Sequence, residues 1–400
     1  MHLSGNRGSS RPPGLHLGDP AAAEWSTNGR ASPTLRASTD DQRSAPPGRG
    51  GRVCHSGRLD RVSAPPHPDS ETQPIPSGRP RRRGGRVRWG FALLLGAAAA
   101  LATLPDLVGL DAHSPFAQVI AFRPLMVAAL GVLVVVGLLI TLAARRFWPV
   151  PVVLALVALG GAAMVLPRTV AGPAPTGGTP LKVLALNVYE GNADARSLAA
   201  LVAEQNPDVV SIPEAGGRYE SEIAPLLEPL GYRTASSVDR WDRDVTGNTV
   251  AWSDRLGDVR TRVGKDVRFD YIEITGGGLG DLRFVAFHSV APVPRSVGQW
   301  RSDLETVATW CSGTSPAIVA GDFNASLDHS VFRDAIQGCG DAGSQTGNGL
   351  AGTWPTWAPA WLGPQIDHIV YTGGISAESF STHLVPGTDH RAIVSTLRLP

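Results

Sequence analysis

Cysteine is scarce in this chain of 400 residues: Cys54, Cys311 and Cys339 are the whole complement. Three thiols cannot build a disulfide framework, and they offer no closely spaced set for a structural zinc. Cys54 stands apart in a segment of different composition. Cys311 and Cys339 either remain free and partly buried or form a single bridge, the latter if their part of the chain is exported. Charge is scarce too, at 18% of residues against about 25% in a typical soluble chain, and the shortfall is concentrated in the middle. Familiar motifs are missing as well. There is no H-E-x-x-H spacing, no G-x-S-x-G elbow and no P-loop ahead of a helix. Zinc-protease, serine-hydrolase and P-loop chemistries therefore have no support in the sequence.

The net charge of +1 conceals an asymmetry. Before Pro180 there are 19 Lys and Arg against 9 Asp and Glu; from Pro180 onward there are 17 against 26. Residues 1–88 lack apolar periodicity and are dense in Gly, Pro, Ser and Arg, a composition that cannot bury enough surface to offset ordering entropy. They read as a disordered basic tail, ending in Arg79-Pro80-Arg81-Arg82-Arg83 and Arg86-Val87-Arg88. Such a tail suits either a nucleic-acid arm or a topological signal, and its position beside an apolar run favours the second.

Residues 89–167 hold three apolar runs that lack the polar face a buried soluble helix would show. They are Phe91 to Leu104, Leu125 to Ala144 and Val150 to Leu166. The middle run is long enough for a hydrocarbon core of about 30 Å. Three transmembrane helices are expected, in a multi-pass cell-membrane protein. With the arginines before the first span and Arg145-Arg146 after the second in the cytoplasm, everything beyond Leu166 lies outside. Residues 168–180, rich in Gly, Pro and Thr, read as a linker.

From 181 to 400 strand-like and helix-like segments alternate over a length that suits one domain. Strands are expected at Leu181–Val188, Asp208–Glu214, Gly247–Trp252, Phe269–Ile274, Leu282–His288, Pro316–Ala320, Ile366–Tyr371 and Ala392–Leu397. Helices are expected at Asp194–Gln205 and Val297–Trp310. One pattern recurs. A buried strand ends, and a polar residue capable of chemistry follows: Asn187, Glu214, His288, Asp322 with Asn324, Asp367 with His368, and Asp389 with His390. Any one of them has a structural explanation as a turn residue, a cap or a core histidine. Six strand ends carrying hard oxygen ligands and acid–base groups point to one site.

Leu186-Asn187-Val188, Pro213-Glu214, Phe287-His288, Gly321-Asp322-Phe323-Asn324, Ile366-Asp367-His368 and Thr388-Asp389-His390-Arg391 resemble, in that order, the motifs of the endonuclease/exonuclease/phosphatase superfamily. The Gly352 to Trp357 stretch and the apolar runs are similar to its bacterial membrane-anchored members. Two positions depart from the pattern: Pro213 stands where Gln usually precedes the glutamate, and Thr388 replaces the usual Ser. The resemblance implies a DNase I-like fold, a four-layer α/β sandwich of two packed sheets flanked by helices. It implies Glu214, Asp389 and Asn187 around Mg²⁺ or Mn²⁺, with Asp322 activating water and Asn324 holding that water or a phosphoryl oxygen. His390, oriented by Asp367, would stabilise the transition state or act in proton transfer, and His288 would bind a non-bridging oxygen. His368 and His329 are expected in packing roles.

The expected activity is metal-dependent hydrolysis of a phosphodiester or phosphomonoester. The substrate would be a lipid head group, a nucleic acid or a small phosphodiester, and no obligate protein partner is inferred. An extracytoplasmic nuclease is the alternative, as is a non-catalytic binding module of the same fold. The acidic balance of the last 220 residues weighs against tight duplex binding, which needs a basic face.

Overall fold

The computed structural model describes residues 83–400. The expectations for the tail up to residue 82, Cys54 included, lie outside the described residues. Helix α1 (Arg83–Thr103) begins inside the stretch assigned to the tail, so Arg86 and Arg88 belong to its first turns. Long basic side chains at the end of an apolar helix reach towards polar surroundings while their stems stay on the helix. After α1 come the single turn α2 (Phe116–Val119), then α3 (Arg123–Ala143) and α4 (Pro149–Val165). Among the described residues, three stretches are long and apolar enough to cross a membrane: Gly85–Thr103, Phe116–Ala143 and Pro149–Thr169. Helix α4 packs against both α1 and α3.

The following domain runs β1 (Thr179–Ala185), α5 (Ala195–Gln205), β2 (Val209–Pro213), α6 (Gly217–Leu227), β3 (Tyr232–Ser236), β4 (Asn248–Ser253), β5 (Val259–Gly264) and β6 (Tyr271–Gly276). It continues with β7 (Arg283–His288), α7 (Val297–Cys311), β8 (Ala317–Asp322), α8 (Ser330–Ala335), β9 (Cys339–Asp341), α9 (Ala342–Gln345), β10 (Asp367–Thr372), β11 (Ser376–His383) and β12 (Ala392–Leu399). One sheet has the order β11-β12-β1-β2-β4-β3, the other β5-β6-β7-β8-β10-β9.

Each sheet centres on one parallel pair, β1 with β2 and β7 with β8, flanked by antiparallel neighbours. Side chains alternate along these strands between two different cores. Val183 and Ala185 of β1, Phe284 and Ala286 of β7, and Ile318 and Ala320 of β8 meet between the sheets. Leu184 and Leu186 pack outward with Leu198, Val202 and Ile223 of α5 and α6. Val285, Phe287 and Val319 pack outward with Trp300, Leu304 and Phe332 of α7 and α8. Both faces are covered, so the strands read as continuous apolar runs. The four-layer sandwich is the expected architecture. Cys311 and Cys339 are joined in a disulfide between the end of α7 and the start of β9.

The stretch 168–180 is less free than a tether. Arg168 is buried against Asp328 at 2.8 Å, and the Gly172 N–H donates to the Gln345 carbonyl at 2.7 Å. Only the remainder is a largely exposed connection to β1. The loop between α1 and α3 is docked as well. Asp111 caps α8 by accepting from the Ser330 N–H at 2.5 Å and its hydroxyl at 2.9 Å. Asp106 pairs with Arg123 and, at 2.7 Å, with Arg333, while Arg123 also lies 3.2 Å from Asp328. The side chains of Arg123, Asp106 and Asp328 are 0%, 1% and 2% exposed. Removing one partner from such a buried set leaves an uncompensated charge. Asp328→Ala should cost about 3–5 kcal/mol, read as a lowered Tm of the full chain in detergent; an unchanged Tm would show the contact to be dispensable.

Candidate functional site

The sheet topology explains why so many polar residues meet. Parallel strands β7 and β8 end at the same edge, where the antiparallel β10 begins, and the register sets His288 beside Asp322 and Asp322 beside Asp367. Alternation gives all three the parity of the inter-sheet core: Ala286, Ala320 and Ile369 precede or follow them by two. Asn187, two residues beyond Ala185, shares that parity in the facing sheet. The site is therefore the mouth of the space between the sheets. Asn187, His288, Asp322, Asp367 and His390 are all buried there.

Asp322 is the point of convergence. Its Oδ2 accepts from Asn187 Nδ2 at 2.9 Å and from Asn324 Nδ2 at 3.2 Å, and its Oδ1 accepts from the Asn324 N–H at 2.8 Å. His288 Nε2 and His390 Nε2 each lie 3.8 Å from the same Oδ2. His390 Nδ1 is 2.9 Å from Asp367 Oδ2, which fixes the ring. Glu214 joins through Asn187 Nδ2 at 2.9 Å and lies 3.7 Å from His288 Nε2. Asp389 is held by the Trp354 indole N–H at 2.9 Å, with its other oxygen 3.9 Å from His390 Nε2. The sequence reading puts Asn187 among the metal ligands. Its Oδ1 accepts the Tyr189 N–H at 2.9 Å while Nδ2 faces two carboxylates, so here it acts as a hydrogen-bond clamp.

Burial and the neighbouring Asp367 raise the Asp322 carboxyl to about 7, against the pull of His390 and its hydrogen bonds. Burial works to lower the His390 imidazole, but Asp367 and Asp322 outweigh it and raise it to about 10. Burial lowers His288, with Glu214 opposing. The site thus pushes its two histidines in opposite directions around a carboxyl group raised well above its usual range.

The backbone is strained where it feeds this site. Four of the five non-glycine residues with positive φ among the described residues are Tyr189, Glu190, Glu214 and Asn324, at 49°, 52°, 58° and 48°. Such conformations cost about 1–3 kcal/mol each and collect at functional sites. The Glu190 N–H thereby reaches Glu214 Oε2 at 2.6 Å. Gly321 has φ +147°, and a Cβ there would stand 2.0 Å from the Phe287 carbonyl oxygen and 3.2 Å from Pro213 Cγ.

A divalent cation fits this donor set. Among the described residues, the buried carboxylate oxygens Asp367 Oδ1 and Asp389 Oδ1 have no hydrogen-bond partner. One side-chain donor atom from each of Asp322, Asp367 and His390 lies within 4.8 Å of the others, so the oxygen-rich edge beside Asp389 is compact. His390 Nδ1 is already committed to Asp367, and an oxygen-rich site suits a hard ion better than an imidazole does.

The profile of the Endonuclease/Exonuclease/phosphatase family matches residues 184–390. The chain belongs to that family. Its fold is the DNase I-like one of two mixed sheets flanked by helices. Among solved structures the chain is similar to an endonuclease/exonuclease/phosphatase from Beutenbergia cavernae DSM 12333, at 20% identity over 55% of this chain and 72% of that one, with a TM-score of 0.44. It is similar to the catalytic domain of human Nocturnin with a bound sulfate anion, at 18% identity over 55% and 94%, with a TM-score of 0.43. It is also similar to D. rerio TDP2 complexed with a single-strand DNA product, at 17% identity over 55% and 99%, with a TM-score of 0.43. The curated proteins contain no match.

Beside the expected family residues stand supports that sequence reasoning missed. Phe269 stacks on His288 with ring centroids 4.7 Å apart. Asp303, fully buried on α7, accepts from the Val290 N–H at 3.1 Å and the Arg268 N–H at 2.9 Å, holding the loop beyond His288. A mid-helix aspartate gives no signal of this in sequence. Thr388 keeps its hydroxyl in use, donating to the Asn187 carbonyl at 2.7 Å. His368 and His329 are packing residues as expected: His368 bridges Asp341 and the Ala325 carbonyl, and His329 meets the Ser326 backbone and the Ala117 carbonyl. Gly321→Ala should destabilise the chain by about 1–3 kcal/mol through backbone collision. Denaturant unfolding checks this; wild-type stability would mean that β7 and β8 can move apart freely.

Proposed function

We propose that this chain is a membrane-anchored, divalent-metal-dependent phosphoesterase that hydrolyses a phosphodiester or phosphomonoester by water attack. The observation that carries the reading is the convergence on Asp322: a buried carboxylate clamped by two amides and faced by two histidines, one raised and one lowered in pKa. A group with a pKa near the working pH is well matched to taking a proton from water. Asp322 is the base, and Asn324 holds the water or a phosphoryl oxygen. His390, kept cationic and aimed by Asp367, donates to charge that develops in the transition state. His288, neutral with its Nε2 towards the carboxylates, donates to a non-bridging oxygen.

Glu214 and Asp389 are the residues we assign to Mg²⁺ or Mn²⁺, with Asn187 keeping Glu214 in place. The ion, when bound, supplies Lewis-acid polarisation of the phosphoryl group. The surplus of acidic over basic residues from Pro180 onward weighs against a duplex nuclease. The Cys311–Cys339 bridge and the arginines flanking the spans favour a catalytic domain outside the cell.

Asp322→Ala and His390→Ala should each lower turnover of bis-p-nitrophenyl phosphate by about 10²–10⁴-fold with unchanged circular dichroism. EDTA should abolish activity and Mg²⁺ restore it. Activity that survives both substitutions and chelation would end this reading. For the topology, a bacterial alkaline phosphatase fused after Pro400 should be active in intact cells. Silence of that fusion, with activity from one placed after Arg146, would invert the orientation.

A further inference from the structure

The catalytic residues Asn324 and His390 line a cavity of about 320 Å³, within the range of small-molecule sites. Its wall is not confined to the catalytic domain. With Val293 and Ile366 it includes Ala121 and Phe122, which belong to the first residues of the second membrane-length stretch, Phe116–Ala143, and lead directly into α3. Side chains other than the two catalytic ones are predominantly apolar. The membrane-side wall is fixed in place. Gln118 Nε2 donates to the Pro292 carbonyl, and His329 Nε2 is 2.8 Å from the Ala117 carbonyl. A neighbouring cavity sets Trp361, 71% exposed, beside Pro124 and Leu125 in the first turn of α3. A tryptophan at that position suits the boundary between bilayer and water. A phosphate site, an apolar cavity and the end of a membrane-length helix are thus contiguous.

We infer that the substrate is an amphiphilic phosphoester of the bilayer, with its phosphate at Asn324 and His390 and its hydrocarbon against Ala121, Phe122 and Val293. This inference rests on the phosphoesterase reading of the site. In the step itself a water oxygen bonds to phosphorus, one ester P–O bond breaks, and the departing oxygen leaves as an alcohol with the proton it gains. Hydrocarbon needs no hydrogen-bonding partners, and the lining offers few. A nucleobase in the same cavity would find Gln118 and His329 as its polar neighbours beyond the two catalytic residues, too few for most of its edge groups.

The test compares ethyl and octyl p-nitrophenyl phosphate, which share one scissile group and differ only in hydrocarbon. The enzyme is the full chain in phosphatidylcholine nanodiscs with Mg²⁺. For the wild type, kcat/KM should rise at least tenfold from the ethyl to the octyl ester. Val293→Asp, which puts a charge at an exposed position of the cavity rim, and Ala121→Trp, which fills its membrane side, should each bring that ratio close to one. Partition of the octyl ester into the bilayer is common to all three proteins, so a gain that persists in both variants overturns the inference. A flat chain-length response with measurable ethyl ester turnover, or preferential cleavage of a single-stranded oligonucleotide, also overturns it while leaving the phosphoesterase assignment standing. Failure to hydrolyse either ester would defeat this inference, and failure on p-nitrophenyl phosphate as well would defeat the phosphoesterase assignment with it.

Discussion

A carboxylate removed from water is costly unless its charge is met by hydrogen bonds and opposite charge. Asp322, 1% exposed, is the place where this protein meets that requirement. Asn187 comes from one sheet, Asn324 from the turn that follows, and His288 and His390 from two further strand ends. Each is placed by its bond to, or its proximity to, the same side chain. The constraint runs outward from there. Asn187 needs the Tyr189 N–H to orient its amide, His390 needs Asp367, and Asp367 needs the Thr353 hydroxyl, which accepts from its N–H at 3.1 Å.

The duplicated plan of the sheets makes this convergence possible. A parallel pair at the centre of each sheet sends two strand ends to the same edge, and an antiparallel neighbour starts there. Three strand termini per sheet, facing one another across a shared core, yield six chemistry-bearing positions without any long loop to carry them. The tight approach of β8 to β7 at Gly321 belongs to the same plan, since a side chain there would push Asp322 away from His288.

Much of this was legible in the sequence because strands buried on both faces announce themselves as apolar runs, and the residues after them are chemically conspicuous. Val183 to Leu186, Val209 to Ile212 and Ile318 to Ala320 are of this kind. Elements that escaped are those with one solvated face or little length. Strand β5 is mostly exposed, β9 is three residues long, and α6 carries Pro225 within it. In the site, the motif residues were readable and their supports were not. Phe269 and Asp303 act on His288 from distant parts of the chain, and no local pattern encodes a contact of that kind. The docking of the loop around Asp106 and Asp111 was hidden for the same reason. Two aspartates between apolar runs look like an ordinary polar turn until Arg123, Arg333 and Ser330 are seen against them.

That docking has a kinetic consequence. The buried Asp106–Arg123–Asp328–Arg168 contacts tie the mouth of the site directly to helices long and apolar enough to cross a bilayer. A protein on a long flexible tether samples a volume, and its effective concentration towards a target falls as the tether lengthens. One tied directly to its membrane helices samples an area instead. Its encounters with membrane-borne molecules then scale with their number per unit of surface, and dilution of the surrounding medium leaves them unchanged.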